Sequence, residues 1–171
     1  MLIDIISQMA VSPPRIKTLH FKGLLAKEAA DSLYSYLKDN IKWEESIKAK
    51  AKGYTTSRLG KALDFEDDEK VDDTIAAVLQ SLNLSYNLLL LSIYLNYYRN
   101  GGDMSPAHSH PKQCQIIISL GATRILTIGK KEYHLANGDV VVFGSSTHGI
   151  PLMPEVKEGR ISIALFTIPI A

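Results

Sequence analysis

A single cysteine, Cys114, a single tryptophan, Trp43, and a formal net charge of +1 mark what this 171-residue chain has little of. One cysteine excludes an internal disulfide and fits a reducing compartment. Cys114 reads as a small apolar filler in a strand rather than a catalytic residue. Near-neutral charge argues against a strongly basic nucleic-acid binder, while leaving room for a local patch. Long hydrophobic runs are also missing. The longest, Leu88–Leu95, is far short of the roughly 20 residues that a membrane helix needs, and Met1–Val11 lacks the basic start of a secretory leader. The expectation is a soluble, intracellular protein with no membrane association and no encoded address.

What is present is an ordinary globular composition, 46% hydrophobic and 22% charged, which suits one domain with a real core. The reading is a single domain over 1–171, made of an N-terminal helical extension, 1–84, and a β-rich core, 85–171. In the extension, the alternation of Ile16–Leu24 predicts a strand, in which His20 reads as a half-exposed strand histidine. Ala29, Leu33 and Leu37, with Tyr36 alongside, recur at helical spacing and predict an amphipathic helix over Ala26–Asn40. Asp72 or Asp73 is expected to cap a second helix, whose buried stripe is Ile75, Val78, Leu79 and Leu82. Between the helices, Lys48, Lys50, Lys52, Arg58 and Lys61 fall in the segment 46–62 with no acidic residue among them. Charge alone favours a solvated loop or edge strand; the alternative is a basic flap that meets a phosphate-bearing substrate.

From Leu88 onward the texture is β. Leu88–Tyr98, Gln115–Leu120, Thr123–Ile128, Glu132–Leu135, Val140–Phe143 and Arg160–Ile168 read as strands. Turns fall at Asn100–Asp103, Gly121, Gly129–Lys131 and Asn137–Asp139. Short strands with glycine turns at near-regular spacing predict an α+β, mainly β protein built as a sandwich or jelly-roll barrel.

The chemistry-bearing stretch is Leu95–Pro111. His108 and His110 are spaced i, i+2, which in an extended strand sends both imidazoles to one face. A third histidine, His148, is expected in a short loop downstream, and Arg160 opens the last strand. Imidazole suits iron, zinc, copper and nickel. A histidine pair on one strand with a distant third ligand is a common way to build a metal site in a β-barrel, although H-x-H alone is a weak signal.

The order of the neighbours is more specific. Asn96-Tyr97-Tyr98-Arg99-Asn100-Gly101 is followed by His108-Ser109-His110, Ser119-Leu120-Gly121, Leu135-Ala136-Asn137-Gly138-Asp139, His148-Gly149-Ile150-Pro151 and Arg160-Ile161-Ser162. Over this half the chain resembles the AlkB-like family of Fe(II)/2-oxoglutarate-dependent dioxygenases. The N-terminal half matches only in outline. The resemblance implies a double-stranded β-helix, a jelly roll buttressed by N-terminal helices, and oxidative demethylation of alkylated DNA or RNA. It implies Fe(II) and 2-oxoglutarate as cofactors, with His108, His110 and His148 at the metal and no catalytic residue beyond that site. Asn96, Tyr98, Arg160 and Ser162 would bind 2-oxoglutarate, Arg160 as a bidentate carboxylate clamp. The basic segment falls where the family's nucleotide-recognition flap lies, so Arg58 and Lys52 become candidates for substrate contact.

The sequence departs from the family twice. His110 stands where the metal carboxylate belongs, which leaves the ion one unit more positive and opens the choice of metal. Phe166 falls where the second arginine of the closing strand belongs, and Ser162 and Ala164 replace its Asn and Thr. Three readings follow. One is an active dioxygenase with an altered metal sphere. Another is a catalytically degenerate relative that binds metal or a nucleotide. The third is a cupin-type three-histidine metalloenzyme.

Overall fold

The computed structural model describes residues 16–45 and 58–170. Most of the basic segment, 46–57 with Lys52, lies outside the described residues. Eleven strands form two antiparallel sheets among the described residues. They are β1 Leu19–Phe21, β2 Glu44–Glu45, β3 Leu59–Leu63, β4 Asn87–Tyr98, β5 Ser105–His108 and β6 Cys114–Gly121. The rest are β7 Arg124–Ile128, β8 Lys131–Leu135, β9 Val140–Phe143, β10 His148–Ile150 and β11 Arg160–Ile170. Seven strands make the larger sheet, in the order β1-β9-β6-β11-β4-β3-β2, and β5-β10-β7-β8 make the smaller. Two helices, α1 Lys27–Asn40 and α2 Glu69–Ser81, buttress the larger sheet. This is the double-stranded β-helix. Neither described helix is long and apolar enough to cross a membrane.

The period of two in the strands sorts residues between two cores. Ile116, Ile118 and Leu120 of β6, with Ile161, Ile163 and Leu165 of β11, pack against Ala30, Leu33 and Leu37 of α1 and Val71, Ile75 and Val78 of α2. Each such side chain removed from water stabilises the fold by about 1.5–3 kcal/mol. The opposite parity faces the gap between the sheets, where Ile117 and Ala164 meet Leu126, Ile128 and Ile150 of the smaller sheet. β6 is buried almost throughout because helices cover one of its faces and strands the other, which is why its sequence reads as a near-continuous apolar run.

Several expectations change. The first strand shrinks to three residues, Leu19–Phe21. There His20 donates from Nε2 to the Asp139 carboxylate at 2.8 Å, an arrangement that ties β1 to the turn before β9. Ala30, not Ala29, belongs to the buried stripe of α1, so the spacing is i, i+3, i+7. Neither Asp72 nor Asp73 caps α2. Asp68 does, accepting from the Val71 amide at 3.1 Å and from the Tyr36 hydroxyl at 2.9 Å. The acidic run therefore enters the helix earlier, at the first carboxylate that also reaches α1. Residues 59–62 of the basic segment fall in β3, paired with β4, and Lys61 donates to Glu44 at 2.7 Å.

Candidate metal centre

His108 ends β5 and His148 opens β10, and the two are direct partners across that antiparallel ladder. Sequence reading put His148 in a loop and both members of the H-x-H pair on one strand. Instead His148 is a strand residue and His110 lies just past the end of β5. The gathering survives the correction, because the ladder sets His108 against His148 and the i+2 step brings His110 to the same side. The ring centroids stand 4.5 Å apart for His108–His148, 4.9 Å for His108–His110 and 5.5 Å for His110–His148. One nitrogen from each lies within 4.8 Å of the others.

Backbone carbonyls choose which nitrogen each imidazole offers. Nδ1 of His108 lies 2.8 Å from the Pro106 carbonyl, and Nδ1 of His148 lies 2.9 Å from that of Ser146. A carbonyl only accepts, so each Nδ1 carries the proton and each Nε2 presents its lone pair. His148 is 4% exposed, and its burial holds its pKa down at about 4. It is neutral at pH 7, the form in which imidazole binds a metal. Two imidazoles with fixed tautomers, and His110 as a third beside them, fit a divalent transition ion. Phe143 packs edge-on against His148 at 4.9 Å and Phe166 against His110 at 5.0 Å, so two apolar walls stand beside the donors.

A polar belt occupies the other end of the same inter-sheet face. In register across β4, β11 and β6 lie Tyr98–Arg160–Gly121 and then Asn96–Ser162–Ser119. Arg160 is 1% exposed. Its Nε donates to the Ser119 hydroxyl at 2.8 Å, while Nη2 is buried with no partner. Burial pushes its pKa down to about 10, and no carboxylate among the described residues pairs with it. Asn96 Oδ1 accepts from Arg58 Nε at 3.1 Å, and Asn96 Nδ2 lies 3.4 Å from Ser162 Oγ. Arg58 therefore reaches inward from the start of β3 into this belt. Ala164 lies on the same face between Ser162 and Phe166, a small side chain between the belt and the histidines.

The structure thus brings His108, His110 and His148 into one cluster and Asn96, Ser162, Arg58, Tyr98 and Arg160 into another. Sequence reasoning passed over two residues. Arg124, 1% exposed, donates to the carbonyls of Asn100, Asp103 and Pro151. It clamps the turn after β4 to the segment after β10, and its guanidinium lies 5.4 Å from the Tyr98 ring, near the 5.3 Å of Arg160. Gln115, 2% exposed, has its Nε2 3.4 Å from Nε2 of His148. The available signal was a polar residue inside a buried run, on the inward parity of β6.

No family model matches this sequence, and no curated protein does. Solved structures do. A Pseudomonas putida prolyl-4-hydroxylase is similar with a TM-score of 0.55 at 15% identity, over 98% of this chain and 99% of that one. The non-heme alpha ketoglutarate dependent epimerase SnoN from nogalamycin biosynthesis gives 0.65 at 15%, over 97% and 83%. HygX from Streptomyces hygroscopicus, solved with nickel and 2-oxoglutarate bound, gives 0.64 at 11%, over 96% and 85%. At these identities the likeness establishes the fold, which is that of the 2-oxoglutarate/Fe(II) oxygenases.

Proposed function

We propose that this chain is an Fe(II)/2-oxoglutarate-dependent oxygenase of the AlkB-like kind with a three-histidine metal site, acting on alkylated DNA or RNA. The observation that carries the reading is Arg160. A buried guanidinium with an unpartnered nitrogen is costly unless an anion completes it. It shares a sheet face with three convergent imidazoles. A dicarboxylate that binds a metal through one end and a guanidinium through the other answers both needs. HygX holds such a molecule together with nickel.

In this reading His108 and His148 present fixed Nε2 atoms to the ion, and His110 supplies the third donor. Arg160 receives the far carboxylate of 2-oxoglutarate. Ser119 orients its Nε, and Tyr98, Asn96 and Ser162 complete the polar belt. With metal and 2-oxoglutarate bound, O2 would be the oxidant: one oxygen atom would pass into succinate as 2-oxoglutarate loses CO2, and the other into a substrate C–H bond, after which a hydroxylated N-methyl group would leave as formaldehyde. Phe143 and Phe166 exclude water from the donors. Charge supports the reading too. His110 in place of a carboxylate adds one positive unit, and Phe166 in place of an arginine removes one, so a dianionic co-substrate meets the net charge that the resemblance implies.

The nucleic-acid part of the proposal rests on Arg58, a cation within the polar belt beside Asn96, with Lys52 of the basic segment as its companion. A phosphate is the natural anion for such a pair. A second reading, a degenerate relative that holds metal without oxidising, is favoured by the Phe166–His110 contact, because it walls the ion where a charged pair would otherwise stand.

Turnover decides between them. Wild-type protein with Fe(II) and 2-oxoglutarate is expected to release succinate, faster when an N-methylated oligonucleotide is added, with formaldehyde as the second product. Succinate from His110→Asp but none from wild type would establish the degenerate reading. An oligonucleotide that changes neither product in an otherwise active protein would remove the nucleic-acid part alone.

A further inference from the structure

β6 places one anomalous residue beside the histidines. Its neighbours in register are Phe166 on β11 and Phe143 on β9, and the following residues are Ile116, Ile117 and Ile118. A row of two phenylalanines, Phe143 buried and Phe166 partly so, flanking a third position calls for an apolar side chain, yet Gln115 occupies it at 2% exposure. A buried amide is costly unless its polar atoms find work. The amide ends 3.4 Å from Nε2 of His148, the atom whose lone pair the Ser146 carbonyl leaves for a metal by holding the Nδ1 proton.

We propose that Gln115 is a fourth ligand to the ion held by His108, His110 and His148, binding through its side-chain oxygen. The inference rests on the metal reading above and extends it to a residue outside the three-histidine set. Two donors each about 2.0–2.1 Å from one ion are about 3.0 Å apart at a right angle and about 3.4 Å apart at the tetrahedral angle. The Gln115 amide already stands at that separation from the His148 donor. A half-turn about χ3 exchanges Oε1 and Nε2 without moving any other heavy atom. Without metal, the amide nitrogen donates to the His148 lone pair. With metal, that lone pair is taken, the amide nitrogen loses its acceptor, and the turned amide offers oxygen to the ion. Phe143 and Phe166 on either side keep competing water from the same place. A neutral amide is a weak ligand, so this fourth position yields to an anionic one and remains compatible with a co-substrate.

The test uses Co(II), whose visible bands report coordination number, added to the whole protein without 2-oxoglutarate. Wild type is expected to bind one Co(II) per chain, and His108→Ala to lose it. Gln115→Leu, which suits the apolar row, should bind Co(II) about tenfold more weakly and show a changed visible spectrum, because a ligand has been removed. Gln115→Glu keeps the shape and puts a carboxylate oxygen in the same place, so it should bind Co(II) at least about tenfold more tightly and keep the coordination number. A Gln115 that merely orients His148 would weaken binding in the leucine variant and leave the cobalt bands where they were. Unchanged bands in Gln115→Leu, or lost binding in Gln115→Glu, overturn the assignment while the histidine site stands. Unchanged Co(II) binding in His108→Ala overturns the histidine site, and the assignment of Gln115 with it.

Discussion

Arg160 shows how a single residue ties stability to function. Its guanidinium is 1% exposed, holds Ser119 through Nε and leaves Nη2 without a partner. Isolated in a low-dielectric interior, a charge disfavours the folded state, and an anion that completes it binds with much of that penalty relieved. Arg160→Met keeps the length of the side chain and removes the charge. It is expected to raise stability to urea by about 1 kcal/mol or more and to abolish the upward shift of Tm expected of wild type with 2-oxoglutarate. A co-substrate shift that survives in Arg160→Met would remove the arginine from the binding site. Cys114 is the opposite case at this scale. It is fully buried and burial raises its pKa, so its thiol is held protonated, in keeping with a filler.

Among the elements, α2 illustrates how a local pattern needs a distant partner to be read correctly. Residues 64–73 hold several carboxylates, any of which could begin a helix. Asp68 is selected because one of its oxygens takes the Val71 amide and the other takes the Tyr36 hydroxyl of α1, so the cap also joins the two helices. Asp68→Ala should lower stability by about 1–2 kcal/mol, whereas Asp73→Ala, at an exposed position, should change it by less than about 0.5 kcal/mol. Urea unfolding of both variants measures the difference, and equal losses would move the cap. β4 to β5 carries a similar lesson. Gly101 bonds to the Val156 carbonyl and accepts from Met153, and a Cβ there would fall on the Met153 carbonyl. The glycine in this turn serves close backbone approach, which holds the segment after β10 against the end of β4.

For the whole molecule, the candidate metal centre is a junction between strands that are far apart in sequence. His108 and His110 come with β5 and His148 with β10, all from the smaller sheet or its edge, while Gln115 and Phe166 come from the larger. An ion bound at these histidines would stabilise the folded chain only, by about 2.7 kcal/mol when its concentration is a hundred times Kd. Saturating Ni(II) should therefore raise Tm in wild type and leave it unmoved in His148→Ala. Chelation should return the wild type to the lower value with its far-ultraviolet dichroism intact, because the core between the helices and the larger sheet contains none of the histidines at the site. Collapse of the dichroism on chelation would make the metal structural.

Strand parity and the turns at Gly121 and Asn137–Asp139 were legible in the sequence, because each follows from local backbone geometry or from a period of two, whereas the grouping of His148 with His108 and His110 was implied only by the family resemblance. The place of Arg160 at the opening of the last strand was legible too. Gln115 and Arg124 were not. Their meaning depends on what β9, β10 and β11 set against them, and polar residues inside apolar strands look alike until those partners are in place. The same holds for His148, whose position as the direct partner of His108 is a property of the β5–β10 ladder. Sequence determined which chemistry the chain carries; tertiary structure decided which atoms share a site, since burial and donor geometry are set by residues that meet only when the two sheets close.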